Sequence, residues 1–304
     1  MTIKKKSKAL CHGTLIGDAA HNSTLLIQDG ILISRGYDDS GDSDDENTTY
    51  INCKGCYITP PVYILTDIAN YTHEPNDPVV HTIGPWSPDR PYDHHWLDLV
   101  ELASDNTNPE WQPLVAASIT LAKDTISAVD AALTRLSSVS FPIIVRWGSL
   151  FIPERFTALM AVLHKHNRQV LIEAATTGQL LAAALTAKRY YTIMVSASLE
   201  AFFESDASYF ITALAAGVID SIYAVTDPKD SLLLASMIAH LNQLDIQSVL
   251  KRLLYGLPEC LSLPTGFRLG QPADYQCLNP AYLRDAVTAK QANRPLPAEF
   301  SRCL

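Results

Sequence analysis

Apolar and polar positions along the chain follow two different periods. Near the N-terminus, two apolar segments flank Asp29-Gly30, and this pattern predicts a β-hairpin with a tight turn. From Val62 onward, short apolar runs alternate with stretches of helical period, which is typical of βα units around a parallel sheet. The predicted strands are Val62–Ile68, Leu114–Ile119, Pro142–Trp147, Gln169–Glu173, Tyr190–Ser196 and Val218–Val225. The predicted helices are Thr125–Leu136, Pro153–His166, Gly178–Lys188, Ala207–Ala216, Ser231–Leu244 and Ile246–Tyr255.

One interval breaks the alternation of strands and helices. Residues 72–95 are rich in proline and show no clear hydrophobic period. Proline lacks the backbone donor that strands and helices need, so clusters of it usually mark turns and loops. The pattern therefore predicts an extended surface loop over residues 72–95.

Composition and charge narrow the class of protein. The 304 residues are 47% hydrophobic, which is enough for a sizeable core, and the net charge of −9 argues against a nucleic-acid surface. No apolar run reaches the eighteen or so residues of a membrane span, and no signal peptide is recognisable, so we expect a cytoplasmic protein. Of the six cysteines, Cys53 and Cys56 have the spacing of a metal or redox motif, but zinc would need a second pair. We therefore interpret Cys53–Cys56 as a turn at the end of a strand.

Three separated segments carry a resemblance to a known family. Ile51–Pro61 (INCKGCYITPP) and Gly266–Pro280 (GFRLGQPADYQCLNP) resemble the two ends of a cyclic amidohydrolase, most closely a bacterial dihydroorotase. Lys290–Phe300 resembles the ending of the same family. The resemblance implies a metal-binding (β/α)8 barrel beside a small β-sandwich that both chain ends build.

The length of the chain modifies this expectation. Only six barrel strands are recognisable instead of eight, and a complete (β/α)8 barrel alone takes roughly 250 residues. We therefore predict an α/β fold, with a shortened or degenerate TIM-like amidohydrolase barrel over residues 62–261. Residues 1–61 and 262–304 are predicted to form the composite β-sandwich domain.

The metal-binding positions of the resembled family carry other residue types here. In active relatives the first barrel strand presents two histidines, which fall on Thr66 and Ile68. The segment Gly217–Lys229 resembles the family's last barrel strand, and in that register the catalytic aspartate becomes Val225 and its neighbouring histidine Thr226. Asp227 lies two residues further on and is a candidate for a shifted general base.

Two more histidine positions are also replaced. The family's histidine strand aligns with Val170–Thr176, where either Glu173 or Ile172 takes the histidine position. The following histidine strand corresponds to Val195–Leu199, again without histidine. We find no counterpart of the bridging lysine. The resemblance thus predicts a chain with no catalytic residue, no metal ligand and no cofactor, and it favours a pseudoenzyme over an enzyme.

Three functions follow from these observations. The first is a non-catalytic dihydroorotase homologue that acts as a structural partner of aspartate carbamoyltransferase in pyrimidine biosynthesis, since the resembled family contains such subunits. The second is an active metal-dependent cyclic amidohydrolase with a rebuilt site. The residues available for that site are His81, Asp93, His94, His95 and Asp98. The third is a ligand-binding module that kept the pocket without the chemistry. The sequence leaves the oligomeric state open, including a homo-oligomer, and indicates no nucleic-acid or membrane partner.

Overall fold

The computed structural model describes most of the chain, and the longest intervals outside the described residues are 68–78 and 86–113. The described residues are 7–17, 23–37, 47–60, 63–67, 79–85, 114–120, 126–135, 143–146, 153–167, 170–174, 176–187, 193–205, 207–223, 228–260, 266–271, 273, 275–295 and 301–303. Contacts divide the chain into two compact units: residues 1–62, 227–259 and 263–304 form the first, and residues 63–226 with 260–262 form the second. The first unit includes residues 227–259, which the sequence analysis assigned to the barrel; the predicted domain boundaries stay a prediction.

The described strands and helices are numbered in chain order. The strands are β1 Ser7–Cys11, β2 Thr14–Leu15, β3 Ser23–Gln28, β4 Ile31–Tyr37, β5 Thr48–Asn52, β6 Tyr57–Thr59, β7 Tyr63–Asp67, β8 Val79–Pro85, β9 Leu114–Thr120, β10 Ile143–Arg146, β11 Val170–Ala174, β12 Ile193–Ser198, β13 Ser221–Tyr223, β14 Gln276–Leu278 and β15 Ser301–Cys303. The α-helices are α1 Ile126–Arg135, α2 Pro153–Lys165, α3 Thr177–Ala187, α4 Ala207–Ala215, α5 Pro228–Leu241, α6 Ile246–Leu254, α7 Gly256–Cys260 and α8 Leu283–Gln291. Short 3-10 helices span Glu200–Phe203 and Pro280–Tyr282.

The first unit contains two four-stranded sheets. One has the order β4-β3-β1-β5 and the other β15-β14-β6-β2. In the second sheet β14 pairs antiparallel with β6 and with β15, so strands from both chain ends share hydrogen bonds. The turn between β3 and β4 has positive φ at both Asp29 (53°) and Gly30 (78°), which is the type I′ geometry of tight hairpins. The predicted hairpin is therefore confirmed.

One apolar core joins the two sheets of the first unit. Its members alternate along the strands, so each strand turns one side inward. They are Leu10, Leu15, Leu25, Ile27, Leu32, Cys53, Ile58, Phe267, Ala273, Tyr275 and Cys277. The rings of Phe267 and Tyr275 meet edge to face, with their centroids 5.0 Å apart. Both chain ends contribute to this core, because Phe267, Ala273, Tyr275 and Cys277 pack with residues of the N-terminal strands.

Tyr255, at the end of α6, attaches the helices of this unit to its N-terminal turn. Its side chain is 6% exposed, and its hydroxyl donates a hydrogen bond of 2.6 Å to the carbonyl oxygen of Ile16. The ring lies against Gly17, where a Cβ atom would come within 2.5 Å of it. Gly17 has φ of +78°, a conformation that side chains other than glycine rarely adopt. Close contact and backbone conformation both require glycine here.

The second unit is built around one seven-stranded sheet. Its order is β13-β12-β11-β10-β9-β8-β7, and the five strands β9 to β13 are parallel to one another. All six strands predicted from Val62 onward are present within a few residues of their expected bounds. Helices follow β9, β10, β11 and β12 in the chain, as the predicted βα units require. Among the described residues this α/β arrangement is an open sheet with β13 and β7 at its edges, and no pairing closes it into a barrel.

The prediction of a loop over residues 72–95 is wrong in part. Val79–Pro85 forms β8, which lies between β7 and β9 and is antiparallel to both. The segment VVHTIG is rich in β-branched residues, which favour strands, but the prolines on both sides masked this signal. Pro85 is the last residue of the strand, a position where a missing donor is tolerated. The sheet is consequently mixed rather than fully parallel.

All six predicted helices are present within about one residue of their expected bounds, except that both ends of α5 lie three residues earlier than predicted; α7 and α8 are not among the predicted helices. Helix α5 begins at Pro228 rather than Ser231, because proline suits the first turn, where its missing N–H has no partner to lose. It ends at Leu241, and Asp245 then caps α6 by accepting a hydrogen bond of 2.9 Å from the Ser248 N–H. None of the described helices combines the length and the hydrophobicity needed to cross a bilayer.

Candidate functional site

Three polar residues lie side by side on neighbouring strands of the second unit. Glu173 on β11 is the register partner of Ser196 on β12, and Ser196 is the partner of Ser221 on β13. Register partners in adjacent strands lie on the same face of a sheet. Ser196 and Ser221 are both 0% exposed, and Glu173 is partly exposed. We call Glu173, Ser196 and Ser221 the polar row.

The opposite face of the same strands is apolar. The neighbouring register positions carry Ile172 paired with Val195, and Ala197 paired with Ile222, all of them buried. Alternation along each strand therefore separates a hydrocarbon face from the face of the polar row. The sequence alignment left Ile172 and Glu173 as alternatives for one family position. The structure places Glu173 in the polar row and Ile172 on the apolar face.

The hydroxyls of the polar row have unequal hydrogen bonding. Ser196 Oγ donates a hydrogen bond of 3.3 Å to the backbone carbonyl oxygen of Ser221. Ser221 Oγ is buried and makes no hydrogen bond within the part of the chain that the structure describes. Leaving a buried polar group unpaired costs about 1–3 kcal/mol. A water or ligand that forms a hydrogen bond with this hydroxyl would remove that cost.

Asp220, next to the polar row, has a structural role. Its carboxylate accepts a hydrogen bond of 2.9 Å from the Val195 N–H, and its own N–H donates to the Val195 carbonyl oxygen at 2.9 Å. Just before it, Gly217 adopts φ of 70° and ends α4, where Val218 N–H donates to the Ala213 carbonyl oxygen. This is the Schellman arrangement of a helix end. The motif that resembles the family's last barrel strand therefore positions β13 beside β12.

Two of the other candidate residues from the sequence lie on described strands, and the rest lie outside the described residues. Thr66 lies on β7, and His81 lies on β8 as the register partner of Asp67. The remaining positions lie outside the described residues: Ile68, Asp93, His94, His95, Asp98, Val225, Thr226 and Asp227. Of the rebuilt-site residues only His81 is described, so the rebuilt site stays a prediction. Sequence reasoning missed Ser196 and Ser221, although small polar residues within apolar strands are a signal that marks such positions.

The polar row does not fit the divalent metal that the resembled fold implies. Zinc-type ions in proteins are held by imidazole, thiolate and carboxylate ligands. The polar row offers one carboxylate and two hydroxyls, and the buried hydroxyls lie on strands where the family would have histidines. Across the described ranges, no group of three or more His, Cys, Asp or Glu side chains gathers in a way that could hold an ion.

The Cys53–Cys56 segment forms a turn, as the sequence predicts. The Cys56 N–H donates a hydrogen bond of 2.9 Å to the Cys53 carbonyl oxygen, and Gly55 between them has φ of 78°. Positive φ at the third position is typical of a type II turn. Cys53 is buried in the core of the first unit. The turn joins β5 to β6, which confirms the interpretation as a turn at the end of a strand.

A cluster of charged groups joins α1 to the end of α2. Both Asp130 carboxylate oxygens accept hydrogen bonds of 3.0 Å from Lys165 Nζ, and Asp130 Oδ1 lies 2.7 Å from His166 Nε2. The hydrogen bond with His166, followed by that from Lys165, lowers the pKa of the Asp130 carboxyl below its ordinary value. His166 is therefore engaged in an interhelical contact at a helix end, where a cation also favours the helix dipole.

Comparisons with known proteins show the fold. No protein-family model and no curated protein matches the sequence. Three similar solved structures are a dihydropyrimidinase from Brevibacillus agri (TM-score 0.62, 10% identity), a D-hydantoinase from a Thermus species (0.62, 11%) and a β-aspartyl dipeptidase from Fervidobacterium islandicum (0.57, 10%). The alignments cover 90% of this chain and 86%, 87% and 92% of those chains, respectively. The chain therefore has the α/β fold of these amidohydrolase-like structures.

Proposed function

We propose that this chain is a non-catalytic dihydroorotase homologue that serves as a structural partner of aspartate carbamoyltransferase in pyrimidine biosynthesis. The observation that carries the proposal is the polar row, in which Glu173, Ser196 and Ser221 share one sheet face. On the strands where the resembled family has imidazole ligands, this face presents one carboxylate and two hydroxyls. The proposal is supported by the α/β fold shared with the hydantoinase structures and by the residue types that stand at the aligned ligand positions of the resembled family.

Ring opening of a cyclic amide depends on a strong nucleophile. Opening a cyclic amide at neutral pH requires hydroxide or its equivalent, and a bound metal supplies it by lowering the pKa of water from 15.7 to about 7. Ser196 and Ser221 are buried neutral hydroxyls and supply no such activation. Once catalysis is dispensable, ligand positions are free to change, whereas core positions remain constrained by packing. A scaffold or assembly role fits this combination.

Assembly with the carbamoyltransferase is tested by mixing the two purified proteins. We expect the full chain and the catalytic chain of aspartate carbamoyltransferase to elute together on gel filtration at micromolar concentrations, with the mass of a complex by light scattering. An unrelated trimeric enzyme of similar charge serves as the control and should elute separately. Separate elution of the two test proteins would remove the main support for the assembly role.

Hydrolase activity is tested on the same preparation. We expect no opening of dihydroorotate, dihydrouracil or hydantoin rings above the uncatalysed rate, with or without added zinc or manganese. The contrary result would be about one tightly bound ion per chain together with ring opening that His81→Ala or His94→Ala abolishes. That outcome would instead establish the rebuilt metal site of an active amidohydrolase.

The unpaired hydroxyl of Ser221 favours a second candidate, a binding module that keeps a ligand pocket. A ligand that accepts or donates one hydrogen bond there would offset the cost of burying this group. A thermal-shift experiment with dihydroorotate and other pyrimidine intermediates tests this candidate. Stabilisation that Ser221→Ala reduces would support it, and the absence of any shift would count against it.

A further inference from the structure

Two cysteines occupy the ends of one tight turn in the first unit. Cys53 directly follows β5, and Cys56 directly precedes β6. The hydrogen bond of 2.9 Å from the Cys56 N–H to the Cys53 carbonyl oxygen makes them the first and last residues of a β-turn. The Cα atoms at these two turn positions lie less than about 7 Å apart. Disulfide-bonded cysteines have Cα separations of about 4.4–6.8 Å, so the backbone holds this pair at a distance that a disulfide spans.

Both cysteine side chains lie on the same side of this turn. Cys53 is 0% exposed and belongs to the core of the first unit, and the partly exposed Cys56 packs against that core. Lys54 and Gly55 between them are exposed, so the tip of the turn lies at the surface. Cys53 Sγ donates a weak hydrogen bond of 3.7 Å to the Ile51 carbonyl oxygen. Rotation about its χ1 bond would exchange this contact for one with the Cys56 sulfur.

We propose that Cys53 and Cys56 are a reversible redox pair, which a small disulfide such as glutathione disulfide oxidises to an intramolecular disulfide. The exposures of the two thiols set the order of steps. The Cys56 thiolate attacks one sulfur of glutathione disulfide, forms a mixed disulfide and releases one glutathione. The Cys53 thiolate then attacks the Cys56 sulfur and releases the second glutathione. Two cysteine thiols are oxidised, one glutathione disulfide is reduced, and the two thiol protons end on the two glutathione thiols.

The position of the pair explains why its oxidation would be reversible and what it would change. A disulfide across one turn closes a very short loop, which constrains the unfolded chain much less than a long loop does. A reductant reaches it through the partly exposed Cys56. Because β5 belongs to one four-stranded sheet and β6 to the other, the disulfide would join the two sheets of the first unit covalently. In a reducing solution the pair stays in the dithiol form.

Mass spectrometry of the folded full chain tests the proposal. The purified protein is fully reduced, equilibrated at neutral pH with reduced and oxidised glutathione in a series of ratios, and then denatured in the presence of N-ethylmaleimide. We expect peptide mapping to find a disulfide between Cys53 and Cys56 at oxidising ratios, and both residues alkylated at reducing ratios. This measurement uses the wild type, so it does not depend on the folding of any variant.

Single substitutions test the order of the two steps. Cys53→Ala should accumulate a mixed disulfide of glutathione with Cys56, because the thiol that resolves it is missing. Cys56→Ala should leave Cys53 reduced, because Cys53 is 0% exposed. Cys277→Ala is the matched control, since Cys277 is buried in the same core but lies on β14. This control should form the disulfide between Cys53 and Cys56 as the wild type does. Circular dichroism verifies that each variant folds.

Three results would overturn the proposal. The first is that both thiols remain reduced at every glutathione ratio. The second is a disulfide from either residue to Cys277 in the same core, or to Cys11, whose carbonyl oxygen accepts a hydrogen bond from the Cys53 N–H. The third is a disulfide that forms only when urea unfolds the chain. Because the purified chain alone is measured, none of these results depends on the proposed assembly with carbamoyltransferase.

Discussion

Single residues in this molecule are constrained by close contact more than by charge. Gly17 shows this best, because its left-handed backbone and the adjacent Tyr255 ring both exclude a side chain. The hydroxyl of Tyr255 then satisfies the carbonyl oxygen of Ile16 in a buried site. Gly30 has the same φ of 78° but open space around it. Comparing the two glycines therefore distinguishes the cost of a left-handed backbone from the cost of steric contact.

The difference in the free energy of unfolding between Gly17→Ala and Gly30→Ala should measure the steric contact with the Tyr255 ring alone. Both Gly17→Ala and Gly30→Ala carry the cost of a left-handed residue, roughly 1–2 kcal/mol. Only Gly17→Ala also forces a Cβ atom against the Tyr255 ring, so we expect it to lower the free energy of unfolding further, by about 1–3 kcal/mol as in overpacked cores. Urea denaturation of the two variants gives the comparison. Equal losses would show that the ring moves aside freely.

At the scale of elements, the contacts of two carboxylates hold neighbouring elements together. Asp220 joins β13 to β12 through the Val195 N–H, and Asp130 joins α1 to the end of α2. Asp220 directly precedes β13, and Asp130 contacts Lys165 and His166 at the end of α2. The alignment of the polar row depends on the first of these contacts, because it sets Ser221 opposite Ser196.

Removing the Asp220 carboxylate should destabilise the edge of the sheet. A hydrogen bond to a charged group is worth about 1.5–3 kcal/mol, so Asp220→Ala should lower the free energy of unfolding by that amount. Glu204→Ala is the control, since Glu204 is exposed and surface changes of this kind usually stay within about 0.5 kcal/mol. Hydrogen exchange of the Val195 amide should accelerate in Asp220→Ala. Unchanged exchange would contradict the role assigned to this carboxylate.

The Asp130 cluster predicts a dependence of stability on acid pH. Because the hydrogen bonds from His166 and Lys165 lower the folded-state pKa of Asp130 from 3.8, its contribution is complete above that value. It is lost as the pH falls through the lowered pKa and the carboxyl is protonated. Wild type should therefore have a higher thermal midpoint than Asp130→Asn at neutral pH, with a difference that shrinks below pH 3.8. A difference that stays constant across this range would refute the linkage.

The whole molecule combines the α/β fold of the similar solved structures with a sheet face on which Glu173, Ser196 and Ser221 form the polar row. Structures of a dihydropyrimidinase and of a D-hydantoinase share the fold at about one residue identical in ten. At this identity the fold is preserved through packing, which tolerates many substitutions as long as volume and pattern are kept. Chemistry is less tolerant, because a single changed ligand removes it.

The stability of the whole chain should not depend on a bound metal ion. A structural or catalytic ion that binds only the folded state adds stability by mass action. We expect dialysis against a chelator to leave the thermal midpoint within about 1 °C of the untreated protein, and added zinc to change nothing. A midpoint that falls after chelation and recovers with zinc would show that residues elsewhere in the chain hold an ion.

The sequence by itself determined the alternation of strands and helices, the hairpin at Asp29-Gly30 and the turn at Cys53–Cys56. These features depend on local periodicity, turn chemistry and residue identity, all of which are visible along the chain. Only the tertiary structure decided that Val79–Pro85 pairs between β7 and β9, and that Ser196 lies opposite Ser221. Strand order and register arise from contacts between segments far apart in sequence, and such contacts leave no periodic signal within either segment.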